Sequence, residues 1–120
     1  MNAVPDLNPI LIIDDEVPIL NLLSKILTRN GYNVDIVESG EKGIKKIESN
    51  NYSLIFTDIK MPGLSGEQVL QYSKNIRKNL TPVVGMSGTP WLLSQSNFDY
   101  VLAKPFLMKD LLEVVRQFVE

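Results

Sequence analysis

Short runs of consecutive apolar residues alternate along this chain with longer stretches in which apolar residues return every three or four positions. Ile10 to Ile13 is apolar throughout, as expected for a parallel strand covered on both faces. Ile19, Leu22, Leu23, Ile26 and Leu27 follow as a helical stripe, with Pro18 in the first turn and Gly31 as the stop. Val34, Ile36 and Val37 predict a weaker strand nearer an edge. A short helix from about Glu41 to Ser49 then carries Ile44 and Ile47 until Asn50-Asn51 breaks it. Leu54 to Thr57 is the third predicted strand. "KMPGLSGE" reads as a loop turning at Pro62-Gly63, and Ser65 caps a helix with Val69, Leu70, Ser73 and Ile76 inward. Val83 to Met86 and Tyr100 to Leu102 are the fourth and fifth strands. The last helix puts Leu111, Leu112, Val114, Val115 and Phe118 on one face. Between Ser87 and Tyr100, "SGTPWLLSQSNFD" has room for one or two helical turns, so the fourth helix should be short or irregular.

Strands that alternate with helices imply a parallel sheet with right-handed crossovers, hence a doubly wound α/β sandwich with helices on both faces. At 120 residues the chain is expected to be one domain, residues 1–120, with 1–8 as a lead and 9–119 as the core. Nothing follows Glu120 that could form an output domain, so the chain is expected to stand alone or to be cut from a larger protein.

In an open parallel sheet, ligands bind beyond the carboxyl ends of the strands. "LIIDDE" leaves Asp14, Asp15 and Glu16 after the first strand, and "LIFTD" leaves Asp58 after the third. Ser87 follows the fourth strand, and Lys104-Pro105 the fifth. If Ile13 ends its strand, Asp14 and Asp15 can both lean toward Asp58, while Glu16 suits the start of the helix. Each pair of like charges ~4 Å apart costs roughly 4 kcal/mol at an effective dielectric near 20. Raising a carboxyl pKa or binding a cation relieves that cost. With only oxygen ligands on offer, a hard divalent ion such as Mg²⁺ is the natural occupant. A cation, a free carboxylate, a lysine and a hydroxyl together suit phosphoryl transfer to an acid.

Composition removes competitors. The chain has no histidine and no cysteine, which excludes Ser-His-Asp and Cys-His catalysis, thiolate metal sites and a phosphohistidine of its own. A net charge of -2 gives no electrostatic reason to expect nucleic acid. No apolar run is long enough to span a bilayer, and "MNAVPDLNP" lacks a signal peptide's order, so a cytoplasmic protein is expected.

"LIIDDE", "LIFTDIKMPGLSG", "VVGMSG" and "LAKPF", in this order, resemble the response-regulator receiver domain from about Ile10 to Val119. The resemblance implies a flavodoxin-like sheet of strand order 2-1-3-4-5. It implies Asp58 as phosphoacceptor and Mg²⁺ (or Mn²⁺) as cofactor. Asp15 would bind the ion directly, Asp14 through water, with Asp58 and the backbone carbonyl of Lys60 completing the set. Ser87 would be the switch hydroxyl, Lys104 would contact the phosphoryl group, and Pro105 would follow a cis peptide. The implied partners are a histidine kinase or histidine phosphotransfer protein as donor and a downstream protein that the residues do not name. The chain departs from the family in having Val101 where an aromatic residue is usual, and a shortened segment from Ser87 to Lys104. Two other classes compete: a receiver-like interaction module that is never phosphorylated, and a phosphatase of the haloacid-dehalogenase kind. The latter expects a D-x-D motif after the first strand, whereas the acids here are adjacent.

Overall fold

A computed structural model describes residues 8–76, 80–90 and 97–119. Five strands, β1 (Ile10–Ile13), β2 (Val34–Val37), β3 (Leu54–Asp58), β4 (Val83–Ser87) and β5 (Tyr100–Ala103), form one parallel sheet of order β2-β1-β3-β4-β5. Helices α1 (Val17–Arg29), α2 (Gly40–Ser49), α3 (Gly66–Gln71) and α4 (Met108–Val119) cover its faces. The expected doubly wound architecture and strand order are therefore present. Trp91, Leu92 and Leu93, where a short fourth helix is predicted, lie outside the described residues.

Strand alternation sorts the core into two layers. Ile10, Ile12, Phe56, Val84, Met86 and Leu102 face α1 and α4, where they meet Leu20, Leu23, Leu27, Leu111 and Val115. Leu11, Ile13, Ile55 and Val83 face the other way, against Ile47, Val69 and Leu70. Both faces of β1, β3 and β4 are buried, which is why those strands are apolar without a break.

Several local expectations need correction. Leu22 belongs to the predicted inward stripe of α1 but is 57% exposed, while Leu20, two residues earlier, is buried. The helix turns about 100° per residue, so a stripe centred on Leu20, Leu23 and Leu27 leaves Leu22 roughly 130° from its centre, outside the buried face. Strands β3, β4 and β5 each run one residue further than predicted, so that Asp58 and Ser87 close their strands rather than follow them. Helix α3 is not regular to Ile76: it gives way to a π-helical segment, Tyr72–Ile76, with Ser73 buried inside. Gly31, at φ 91°, ends α1 as expected, in a backbone region that favours glycine. Val101 packs into the α2–α3 layer, and Tyr100 points the other way and is exposed.

Candidate phosphoryl-accepting and metal-binding site

The alternation that builds the core also builds the site. Ile10 and Ile12 lead to Asp14, Leu54 and Phe56 to Asp58, and Tyr100 and Leu102 to Lys104, all on one parity of the sheet. At its carboxyl edge these three side chains converge. Lys104 Nζ lies 3.0 Å from Asp14 Oδ2, 3.5 Å from Asp58 Oδ1 and 3.8 Å from Glu16 Oε1. Asp15, on the opposite parity, is exposed because β1 has ended at Ile13 and the chain has turned. Asp14, Asp15, Glu16 and Asp58 can bring carboxylate oxygens within 4.8 Å of one another.

Asp14 is fully buried and doubly held: Lys104 donates to one oxygen, and the Glu16 backbone N–H donates to the other at 3.0 Å. Glu16 is the N-cap residue of α1 but makes no side-chain capping hydrogen bond; it turns toward the cluster instead. Asp58 is nearly buried. Its pKa is raised to about 6, chiefly by loss of solvation, with Lys104 acting to lower it and Asp14 and Asp15 to raise it. For Lys104, burial acts to lower the pKa, but the hydrogen bond to Asp14 and the charges of Asp14, Asp58 and Glu16 outweigh it, and the net shift is upward. With every group ionised, four carboxylates face one ammonium.

Ser87 comes from the other parity and approaches from the flank. Its Oγ accepts the Thr89 N–H at 3.0 Å, a local turn that fixes the hydroxyl. The Ser87 carbonyl accepts the Lys104 N–H at 2.8 Å, which ties the two residues' backbones together. The Lys104-Pro105 peptide is cis. Beside Ser87, a cleft of about 540 Å³ opens between Thr89 and the loop carrying Ile59, Lys60, Met61 and Pro62. Gly66 is indispensable there: a Cβ would come 2.4 Å from the Asp58 carbonyl oxygen. Gly66 N–H also donates to the Ile59 carbonyl at 3.0 Å, closing the base of the loop.

The residues expected at one edge are thus found at one edge. Gly66, which shapes it, carried no comparable signal, since it is uncharged and acts through backbone contacts.

The sequence profile described as response regulator receiver domain matches residues 10–116. The chain belongs to that family. Among similar proteins, the transcriptional regulatory protein YkoG of Bacillus subtilis is 35% identical over 115 residues, which are 89% of this chain and 49% of that protein. Response regulator ArlR of Staphylococcus haemolyticus is 31% identical over 113 residues, 89% of this chain and 50% of its own. The receiver domain therefore spans about half the length of these relatives, and 18% of the transcription factor SKN7 of Saccharomyces cerevisiae. The crystal structure of response regulator protein TrrA from Thermotoga maritima, in complex with Mg²⁺-BeF, superposes with a TM-score of 0.84 at 32% identity. That match covers 92% of this chain and 98% of TrrA. Receiver domains are signalling modules of two-component systems. Among the described residues no helix is long and apolar enough to cross a membrane.

Proposed function

We propose that this receiver domain accepts a phosphoryl group on Asp58 from the phosphohistidine of a histidine kinase or histidine phosphotransfer protein, with a divalent cation bound beside it. The observation that carries this reading is the imbalance at the sheet edge: one lysine among four carboxylates, with Asp58 held poorly solvated beside it.

The donor set suits a hard cation. All candidate ligands are oxygens, and oxygens on opposite sides of an ion with ~2.1 Å bonds stand ~4.2 Å apart. Carboxylates already within 4.8 Å need little movement to reach that. Asp15 and Asp58 would hold Mg²⁺ (or Mn²⁺) directly, Asp14 through water, and the Lys60 backbone carbonyl would complete the protein ligands. The bound ion supplies positive charge against the transferring group's oxygens.

In the transfer, an Asp58 carboxylate oxygen attacks phosphorus. A P–O bond forms as the P–N bond to the donor imidazole breaks; the ring, already protonated on its other nitrogen, keeps the P–N electron pair and leaves as neutral imidazole. Lys104, already 3.5 Å from Asp58, neutralises charge on one phosphoryl oxygen. The Ser87 hydroxyl accepts from Thr89 and keeps its own proton to donate to another. Asp14 keeps the Lys104 ammonium in place.

A phosphohistidine donor has to be another protein, since this chain has no histidine. The rim it would cross suits one: Val17, Leu22, Leu107 and Met108 are exposed, beside an apolar groove lined by Ile19, Leu23, Pro105 and Phe106. A second reading, a module that is never phosphorylated, is favoured by Val101 at the position where the family's signalling aromatic stands. One experiment separates the two. With Mg²⁺ and acetyl phosphate, the chain should gain the mass of one phosphoryl group, and Asp58→Asn should gain none. An unchanged wild-type mass with acetyl phosphate, and no beryllofluoride adduct, would eliminate phosphorylation.

A further inference from the structure

The loop from Ile59 to Ser65 carries the Lys60 carbonyl, and its base is fixed by Gly66. Its tip is fixed by something else. Glu41, in the first turn of α2, reaches across to the loop, and the Leu64 N–H donates to Glu41 Oε1 at 3.1 Å. Both Glu41 carboxylate oxygens also lie against Gly63: a Cβ there would come within 3.0 Å of each. Gly63 has φ 75°, so the loop turns at the point where the carboxylate covers it. The neighbouring Gly40 completes the seat, because a Cβ at that position would come 2.7 Å from the Leu64 carbonyl oxygen.

We propose that Glu41 is a positioning residue for metal binding: by holding the tip of the 59–65 loop against α2, it sets where the Lys60 carbonyl points. This rests on the reading that the Lys60 carbonyl is a cation ligand. Glu41 itself touches none of the acidic cluster. The loop is a short span held at Ile59, whose carbonyl accepts the Gly66 N–H, and at Leu64 by Glu41, with the Lys60 carbonyl between these two points. Release of one end lets the carbonyl between them swing, and the ion then has to order it at an entropic cost.

Glutamate in a helix's first turn also favours the helix dipole, and that role depends on charge. The strap depends on a hydrogen-bond acceptor, which a glutamine oxygen also supplies, without the charge. Glu41→Ala and Glu41→Gln therefore separate the two. In the 120-residue chain, calorimetric titration with Mg²⁺ should show affinity about fivefold to tenfold lower for Glu41→Ala. That lies at or below the lower end of the roughly 10–100-fold expected when a buried outer-shell hydrogen bond is lost, because Glu41 is exposed. Glu41→Gln should bind within about twofold of wild type. The Leu64 amide should exchange faster with solvent in Glu41→Ala alone. Wild-type magnesium affinity in Glu41→Ala overturns the proposal, and so does an equal loss in both variants, which would make charge the cause. If wild type binds no Mg²⁺, the metal reading of the site falls and takes this inference with it. The Leu64 exchange rates would then still report whether the strap exists.

Discussion

Among the described residues, lysine and aspartate meet at two places in this fold, on opposite terms. Toward the amino ends of β4 and β5, Asp99 Oδ2 receives Lys74 Nζ at 2.7 Å and the Val83 N–H at 2.7 Å. One cation meets one anion, and a backbone donor fills the remaining demand. At the carboxyl ends, Lys104 must serve Asp14, Asp58 and Glu16 together, with Asp15 close by. The balanced pair fastens α3's π-helical end to the sheet and asks for nothing further. The unbalanced cluster stores repulsion that a proton or a divalent ion relieves, and that need is what makes it a site.

Removing the lone cation should have the largest effect. Lys104→Ala leaves Asp14 buried without its strongest partner and should lose about 3 kcal/mol at pH 8 in metal-free buffer, read by urea unfolding. Because Asp58 is largely protonated at pH 5, the loss should be smaller there. Lys104's own raised pKa implies that its contribution persists across this range and fades only above its ordinary value near 10.5.

The second test has the opposite sign. Asp58 has a folded-state pKa of about 6, above its ordinary value, so the native chain binds more protons than the unfolded chain between about pH 4 and 6. Ionising Asp58 therefore costs stability as pH rises through that window. Asp58→Asn removes the cost and should be more stable than wild type by about 2–3 kcal/mol at pH 7–8 without metal. The difference should vanish below about pH 4 and shrink in excess Mg²⁺.

The balanced pair should behave differently. Asp99→Asn should lose about 1–2 kcal/mol, with no effect on Mg²⁺ affinity. If it alters metal binding as strongly as a change in the acidic cluster, the two regions are not distinct. Smallest is Ser73→Ala. Among the described residues the buried Ser73 hydroxyl has no hydrogen-bond partner, so alanine should be neutral or stabilising by less than ~1 kcal/mol in thermal melts.

Most of the sheet and of the site was legible in the sequence, for one reason. Strand periodicity and site chemistry are written in the same positions: the apolar runs that need two covered faces end in Asp14, Asp58 and the Lys104 segment. The helical stripe of α1 was less legible, because leucines at 20, 22, 23 and 27 fit more than one phase, and only packing against β1 and β3 selects Leu20 over Leu22. The π-helical segment left no mark either, since Ser73 fits a regular helix equally well on paper. Contacts of high sequence separation were out of reach. Lys74 with Asp99, Glu41 with Leu64, and Tyr52 with Asp35 each join a common surface residue to a partner that only the folded chain brings near.

The poor solvation of the Asp58 carboxylate, and its crowding by Asp14 and Asp15, are tested most directly by its ionisation. Carbon-13 NMR of the Asp58 side-chain carboxyl, followed across pH with a chelator and again with saturating Mg²⁺, reads it without assuming any reaction. The expected result is a midpoint near pH 6 without metal that drops toward the ordinary carboxylate range when magnesium is present. A midpoint near pH 4 that magnesium leaves unmoved would contradict it.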